Sequence, residues 1–169
     1  MGKVYVISDT HFNHANIIKY CNRPYATVPE MNEALIKNWN SVVTNEDTVY
    51  FLGDFALGKR DNIIEIGNQL NGHKILVMGN HDRVTATAFT DAGFETIYKK
   101  PTLIKFEEYG MEILFSHAPV FEPLYQHYNI HGHIHDVIGN DAKHFCACVE
   151  QINYTPILLD DIVKYFKGE

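Results

Sequence analysis

The stretch MGKVYVISDTHFNH, residues 1–14, determines how the rest of the chain is interpreted. Its apolar run VYVI, residues 4–7, has the composition of a buried strand. An acid and two histidines, Asp9, His11 and His14, follow that run closely. Side chains of this kind resist burial unless they are paired or bind a metal ion. The stretch therefore predicts a strand that delivers polar groups to a site.

Further apolar runs, separated by segments of helical spacing, continue this pattern. The runs are TVYFL (48–52), KILVM (74–78), TLIKF (102–106), MEILF (111–115), YNI (128–130), FCACV (145–149) and TPILL (155–159). Helical spacing and capping signals predict helices over residues 14–20, 29–43, 60–70, 83–92 and 160–166. Strands that alternate with helices, followed by a strand-rich second half, predict an α/β sandwich with a sheet at the centre and helices outside.

Length and composition indicate one globular domain over residues 1–169, with 46% hydrophobic and 21% charged residues. No apolar run reaches the roughly 18 residues of a membrane span. The first residues lack the basic and then apolar pattern of a signal peptide, so we predict a cytoplasmic protein without membrane contact. Cys21, Cys146 and Cys148 lack CxxC spacing, and we interpret the last two as small core residues on one face of a strand.

The formal net charge of −7 bears on possible partners. The chain lacks the Lys and Arg clusters that follow a phosphate backbone, so we expect no stable binding of duplex DNA. The negative charge is still compatible with a phosphate-ester substrate, nucleotides included, because bound cations would make the local electrostatic potential more positive. Composition leaves open whether the protein is a monomer or a small homo-oligomer.

Five of the apolar runs end in residues that bind metals or transfer protons. These residues are Asp9 and His11, then Asp54, then Asn80, His81 and Asp82, then His117, and finally His133 and His135. In open α/β sheets, sites form outside the carboxyl ends of the strands. If the strands share one sheet and one direction, all five endings meet at one edge, where a cation would neutralise the acids.

A glycine directly precedes three of these residues, at Gly53, Gly79 and Gly132. Glycine permits a sharp turn and a close approach of the backbone to an ion. The same glycines are also compatible with ordinary turns at strand ends. Together with the ligand-type residues that follow them, they favour a site.

The ordered motifs resemble the signature of the calcineurin-like metallophosphoesterase superfamily. They are DTH (9–11), GD (53–54), GNHD (79–82), SH (116–117) and GHIH (132–135). The resemblance implies a four-layer α/β/β/α sandwich of two mixed sheets flanked by helices. Within the superfamily, the short chain and the stretch DTHFNHANIIKYCNRPY are similar to small single-domain bacterial and phage phosphoesterases.

The resemblance also implies two divalent cations and a role for each motif residue. The first ion would be held by Asp9, His11, Asp54 and His135, and the second by Asp54, Asn80, His117 and His133. Asp54 would bridge the ions, His81 would contact the phosphate and protonate the leaving group, and Asp82 would support His81. Nitrogen and oxygen ligands without a thiolate suit Mn²⁺, Fe, Zn²⁺, Co²⁺ or Ni²⁺, and the resemblance favours Mn²⁺.

Two ions about 3.5–4 Å apart can clamp the phosphoryl oxygens and activate a water molecule. We therefore hypothesise a phosphodiesterase or phosphatase in which a hydroxide bridging the two ions attacks phosphorus in line. Phe-Ala-Leu-Gly follows the GD motif, instead of the Asp-Arg-Gly of protein Ser/Thr phosphatases, which argues against phosphoproteins as the main substrate.

Specificity is expected to come from short loops. His14 and Arg23 are predicted to bind substrate, with Arg23 as a fork for phosphate; the alternatives are local packing for His14 and a surface ion pair for Arg23. Phe121, Tyr125 and Tyr128 are compatible with stacking on a base or sugar, or with packing of their loop.

Two other functions are compatible with the sequence. One is a metal-dependent nuclease acting on single-stranded nucleic acid, which the acidic total charge disfavours. The other is a non-catalytic scaffold of the same fold, which the intact set of ligand-type residues disfavours.

Overall fold

A computed structural model describes residues 2–121 and 127–169, and the elements below belong to those residues. The helices are α1 (Ala15–Tyr20), α2 (Val28–Val42), α3 (Arg60–Gly67), α4 (Ala86–Asp91) and α5 (Leu159–Lys167). The strands are β1 (Val4–Ile7), β2 (Thr48–Phe51), β3 (His73–Val77), β4 (Phe94–Tyr98), β5 (Thr102–Phe106), β6 (Met111–Ser116), β7 (Tyr128–His131), β8 (His144–Cys146) and β9 (Ile157–Leu158). Within these residues, no helix has both the length and the apolar composition of a membrane span.

The strands form two mixed sheets. The first has the order β4-β3-β2-β1-β9, with β1 to β4 parallel and β9 antiparallel to β1. The second has the order β5-β6-β7-β8, with β5 antiparallel to β6 and the rest parallel. The prediction of two mixed sheets flanked by helices is confirmed. The single shared sheet considered from the strand pattern is wrong, because hydrophobic patterning identifies strands but not the sheet that each one joins.

Helices α1 to α4 pack on one face of the first sheet. Helix α2 begins after Thr27, whose side chain accepts a hydrogen bond from the Glu30 amide, and it buries Met31, Leu35 and Trp39 on one stripe. This stripe shares a core with sheet residues such as Phe51. Buried apolar side chains at helical spacing thus fix the helix against the sheet.

A second core lies between the two sheets. Val6 in β1 and Leu52, directly after β2, share this core with Ile113, Phe115 and Ile130 of the second sheet. Helix α5 contributes its own apolar face to the same core. The two sheets therefore pack face to face, and the carboxyl ends of their parallel strands lie at the same edge.

The chain after β8 joins the sheets at the edge where β1 and β7 end. The Ala147 amide donates to the His131 carbonyl at 2.7 Å, and the Ala147 carbonyl accepts from Ser8 at 2.8 Å. The predicted strand over 145–149 is thus divided, with its first part in β8 and its second part between the sheets. Cys146 and Cys148 are fully buried, in agreement with their interpretation as core residues.

Strand β4 was not predicted from the sequence. It lies at the edge of the first sheet, and most of its residues are only half-buried, so its apolar pattern is weak. Residues 99–101 lead directly from β4 to β5 and so connect the edges of the two sheets.

Candidate metal centre

The residues that follow β1, β2, β3, β6 and β7 meet at one place, at the carboxyl edges of both sheets. All seven predicted metal ligands belong to this cluster: Asp9, His11, Asp54, Asn80, His117, His133 and His135. Five of them have left-handed backbones, with φ of 58° at Asp9, 48° at His11, 58° at Asp54, 74° at His133 and 50° at His135. Such conformations are strained for residues other than glycine, and strain of this kind concentrates at functional sites.

The first group of possible ligands consists of Asp9, His11 and His135. The Asp9 Oδ1 atom lies 3.7 Å from Nε2 of His11 and 3.8 Å from Nε2 of His135. Asp54 completes this side, with its Oδ2 atom 3.5 Å from Nε2 of His11. Asp9, His11 and His135 therefore direct nitrogen and oxygen atoms to one point, as a divalent cation requires, and Asp54 lies beside His11.

Asp9 uses its two carboxylate oxygens differently. Its Oδ2 atom accepts hydrogen bonds from the Ser8 hydroxyl, the His133 amide at 2.8 Å and the Cys148 thiol at 3.3 Å. Its Oδ1 atom is buried without a hydrogen-bond partner, and so is Nε2 of His11. Buried polar atoms without partners are costly, so this pair of atoms fits a bound cation.

The second group surrounds His117. Nδ1 of His117 bonds the Leu52 carbonyl at 2.8 Å, which turns Nε2 towards the centre of the cluster. That Nε2 atom lies 2.9 Å from Oδ1 of Asn80 and 3.2 Å from Nδ1 of His133. A carbonyl partner on one ring nitrogen is a common way to orient a metal-binding histidine through the other nitrogen.

Asp54 lies between the two groups. Its Oδ2 atom is 3.5 Å from Nε2 of His11 and 3.4 Å from Nε2 of His117. Its Oδ1 atom accepts a hydrogen bond from the His81 amide at 2.8 Å, which fixes the plane of the carboxylate. One buried oxygen thus faces both sets of ligands, as a bridging ligand would.

The cluster also shifts the pKa values of its members. Burial raises the pKa of Asp9, but the adjacent His11 ring and the positive charges of His117 and His135 outweigh burial and lower the pKa below its usual range. Burial lowers the pKa of His117, but its hydrogen bond to Asp54 and the nearby carboxylates outweigh burial and raise the pKa to about 9.

We expect cation affinity to rise with pH because of His117. Below a pKa of about 9 its imidazole is protonated, and a cation at Nε2 must displace that proton. One competing proton predicts roughly a tenfold gain in Mn²⁺ affinity per pH unit as pH rises towards that pKa. Calorimetric titrations at two pH values, in buffers of different ionisation enthalpy, would measure both affinity and proton release. An affinity that does not change between pH 6 and pH 8 would contradict this expectation.

None of the three glycines noted in the sequence has room for a side chain, and a Cβ atom on Gly53 would lie 2.5 Å from the Gly79 amide nitrogen. A Cβ atom on Gly79 would lie 2.2 Å from Oδ1 of Asp54. A Cβ atom on Gly132 would lie 2.0 Å from the Ser8 hydroxyl oxygen and 2.2 Å from Oδ2 of Asp9. Gly79 and Gly132 therefore allow the backbone to approach the carboxylates of Asp54 and Asp9 closely, beyond what an ordinary turn requires.

The structure corrects the role expected for Asp82. This buried carboxylate accepts hydrogen bonds from the backbone amides of Asp54, Phe55 and Gly79 at 2.8 to 2.9 Å. In the part of the chain that is described, no hydrogen bond joins it to the His81 ring. Asp82 therefore holds the ends of β2 and β3 together and positions Asp54, instead of supporting His81.

The structure also corrects the role expected for Arg23. Its side chain is fully buried and donates to the carbonyls of Asp9 and Thr10, to the carboxylate of Glu150 and to the sulfur of Met31. These contacts occupy all five N–H groups of a guanidinium. Arg23 is thus neither a phosphate fork nor a surface ion pair; its hydrogen bonds fix the backbone at Asp9 and Thr10, directly after β1.

Glu150 is a site residue that sequence reasoning missed. Its Oε1 atom accepts from Arg23 at 2.7 Å and lies 3.2 Å from Nδ1 of His135, whose Nε2 atom faces the cluster. A carboxylate on the outer nitrogen of a histidine orients that ring towards a metal. The signal was available, because the apolar run 145–149 ends at Glu150 just as the other five runs end at their ligand-type residues.

Cys21, His135 and Glu150 form a further group with metal-ligand spacing. The guanidinium of Arg23 bonds this same carboxylate twice. Its positive charge disfavours an additional cation at that point. We therefore interpret this group as support for His135.

We expect Glu150→Gln to weaken Mn²⁺ binding by roughly 10–100-fold, the usual effect of losing an outer-shell partner. The matched control is Glu95→Gln, because Glu95 bonds His73 at 2.7 Å at the exposed surface. Titration calorimetry gives the dissociation constants, and thermal unfolding shows whether each variant is folded. A folded Glu150→Gln protein with the affinity of the wild type would exclude this positioning role.

Of the remaining predicted residues, His81 and His14 lie beside His11. The exposed His81 ring lies 5.5 Å, centroid to centroid, from that of His11. Half-buried His14 lies on the same side, with Nδ1 3.5 Å from Nδ1 of His11. The Phe121 ring contacts the His144 ring at a tilt of 40°, whereas Tyr128 packs on Phe166. Tyr125 lies outside the described residues.

The sequence and the fold agree on the class of protein. The family model of calcineurin-like phosphoesterases matches residues 2–164. The chain belongs to the calcineurin-like phosphoesterase family, which is metal-dependent and acts on phosphoesters. The resemblance drawn from the five motifs is thereby confirmed.

Similar proteins come from several sources. An uncharacterised protein of Methanocaldococcus jannaschii is 41% identical over 173 residues, which cover 97% of this chain and 91% of that protein. The gene 66 protein of Mycobacterium phage L5 is 34% identical over 85 residues, 48% of this chain and 41% of the phage protein.

Two solved structures share the fold. A protein of unknown function from Aquifex aeolicus has a TM-score of 0.77 and 32% identity, covering 97% of this chain and 99% of its own. The nuclease MPE of Pseudomonas putida has a TM-score of 0.51 and 19% identity, covering 78% of this chain and 61% of its own. At that identity the likeness to the nuclease concerns the fold alone.

Proposed function

We propose that this protein hydrolyses small or nucleotide-like phosphate mono- or diesters with the help of two divalent cations. One cation is bound by Asp9, His11, Asp54 and His135, and the other by Asp54, Asn80, His117 and His133. Asp54 is the ligand common to both.

The position of Asp54 carries the proposal. Its Oδ2 atom lies within 3.5 Å of a nitrogen atom from each group, His11 on one side and His117 on the other. The unpartnered Oδ1 atom of Asp9 and Nε2 atom of His11 supply a second argument, because cations would satisfy them.

When bound, the two cations polarise the phosphoryl oxygens and lower the pKa of a water molecule. Donors of nitrogen and oxygen type suit Mn²⁺, Fe, Zn²⁺, Co²⁺ or Ni²⁺, and we propose Mn²⁺. The two carboxylates, Asp9 and Asp54, offset part of the cationic charge at the centre.

His81 is proposed to act on the leaving group. Its amide is fixed by Oδ1 of Asp54 at 2.8 Å, while its side chain is exposed beside His11. The backbone is thus anchored and the imidazole stays accessible to substrate. From that position His81 stabilises charge on the phosphate and donates a proton to the departing oxygen.

An activity screen with and without metal tests the proposal. The protein is treated with chelator, dialysed and supplied with Mn²⁺, and bound metal is counted by mass spectrometry. The substrates are p-nitrophenyl phosphate, bis-p-nitrophenyl phosphate, cyclic nucleotides and single-stranded oligonucleotides. We expect two ions per chain and turnover that is lost with chelator and restored by Mn²⁺.

The outcomes separate the three functions. Turnover of the small esters supports the proposal, and the ratio of diester to monoester rates classifies the enzyme. Preference for oligonucleotides, with rates that fall steeply with salt, would support the nuclease. A protein that binds no stoichiometric ions and turns over none of the substrates would be a scaffold, and the proposal would be rejected.

A further inference from the structure

A cleft of about 450 Å³ opens beside the second group of ligands. Its polar wall contains Asn80, His117 and His133, so any molecule in the cleft lies next to the cluster. Sites for small molecules have volumes of roughly 300–1,000 Å³ and mostly apolar walls with a few polar groups. The cleft therefore has the size and the position of a subsite for one limb of a substrate.

Much of the remaining lining of the cleft is apolar. Met78, Pro119 and Val120 contribute to it, and the Val120 amide is already bonded to the Asn129 side chain at 2.9 Å. A wall of this kind favours a flat, weakly polar group, because burying apolar surface is favourable and burying an unpaired polar group is not. A nucleoside base and sugar meet this requirement better than a phosphate does.

Two lysines lie at the rim of the same cleft. Lys99 and Lys100 are exposed on the segment that joins β4 to β5. Neither forms an ion pair within residues 2–121 and 127–169. In a chain with a net charge of −7, adjacent unpaired ammonium groups create a local attraction for an anion. Lysine binds phosphate as a flexible point charge.

We propose that the cleft binds a nucleoside limb of a phosphodiester and that Lys99 and Lys100 bind a further phosphate on that limb. The preferred substrates are then nucleotide esters that carry an additional phosphate. This inference rests on the proposed function, since it places the first phosphate at the cations. Because the positive charge at the cleft is confined to two lysines in a chain of net charge −7, the site favours a short nucleotide over a long duplex.

A binding experiment tests the inference without relying on turnover. Thymidine 3′,5′-bisphosphate and thymidine 5′-phosphate are titrated by calorimetry into the Mn²⁺-loaded wild type and into Lys99→Ala/Lys100→Ala. We expect the wild type to prefer the bisphosphate by roughly fivefold to tenfold at low ionic strength, and the preference to disappear in the double variant. In Val120→Trp, which fills the cleft, both ligands should bind less tightly.

The control is Lys37→Ala/Lys167→Ala, which removes the same charge from exposed helical positions. It should retain the preference of the wild type. An equal preference in the wild type and in Lys99→Ala/Lys100→Ala would overturn the inference. Turnover of p-nitrophenyl phosphate and of bis-p-nitrophenyl phosphate is measured in parallel, and the absence of both activities in the Mn²⁺-loaded wild type would contradict the proposed function separately.

Discussion

Asp54→Asn is expected to lose nearly all activity together with both cations. The Oδ2 atom of Asp54 faces His11 and His117 at similar distances, 3.5 and 3.4 Å. An amide carries no charge, and its NH₂ group would repel a cation placed between those histidines. Because a catalytic cation is worth several kcal/mol of transition-state stabilisation, we expect kcat/KM to fall roughly 10³-fold or more.

Metal analysis by mass spectrometry and steady-state kinetics on bis-p-nitrophenyl phosphate measure the two effects. Asp61→Asn is the matched control, because Asp61 lies exposed in the first turn of α3. It should keep two ions and the rate of the wild type. If Asp54→Asn also kept both ions and a normal rate, Asp54 would not be the bridging ligand.

His81→Ala is expected to slow some esters far more than others. A general acid contributes about 10²–10⁴-fold when the leaving group needs a proton, as an alkoxide does. The p-nitrophenolate ion leaves without one, so p-nitrophenyl esters should lose much less. The exposed position of the imidazole, beside His11 and anchored through its own amide, allows this contact with substrate.

A series of esters with leaving groups of increasing pKa tests the role of His81. The slope of log kcat/KM against that pKa should become steeper in His81→Ala than in the wild type. His73→Ala is the control, since His73 is exposed and pairs with Glu95 at the surface. An equal loss across the series would show that His81 binds the phosphate without donating a proton.

The sequence was most informative where an acid, amide or histidine side chain directly follows a buried strand. Apolar runs identify strands, and parallel strands bring their carboxyl ends together, so the convergence of the polar strand endings could be predicted without coordinates, although those strands belong to two sheets. The assignment of strands to two sheets came only from the family resemblance. Strand β4 was not predicted because it lies at the sheet edge, where most of its residues are only half-buried and lack a clear apolar pattern.

The role of Arg23 could not be predicted from local sequence. Its burial depends on Glu150, which is 127 positions away along the chain. A long charged side chain far from its partner in sequence is normally exposed, so the two alternatives considered for Arg23 both placed it near solvent. The Asp82 role failed for a similar reason, since its partners are backbone amides that no side-chain motif reveals.

The left-handed backbone at five of the proposed ligand positions has a consequence for directed evolution. Glycine adopts such dihedral angles freely, so glycine at His133 or His135 would relax the chain while it removes a ligand. A library of variants selected for heat resistance alone would therefore become enriched in inactive members. A selection for heat-resistant variants that keep the proposed activity must therefore test heat resistance and turnover in the same round.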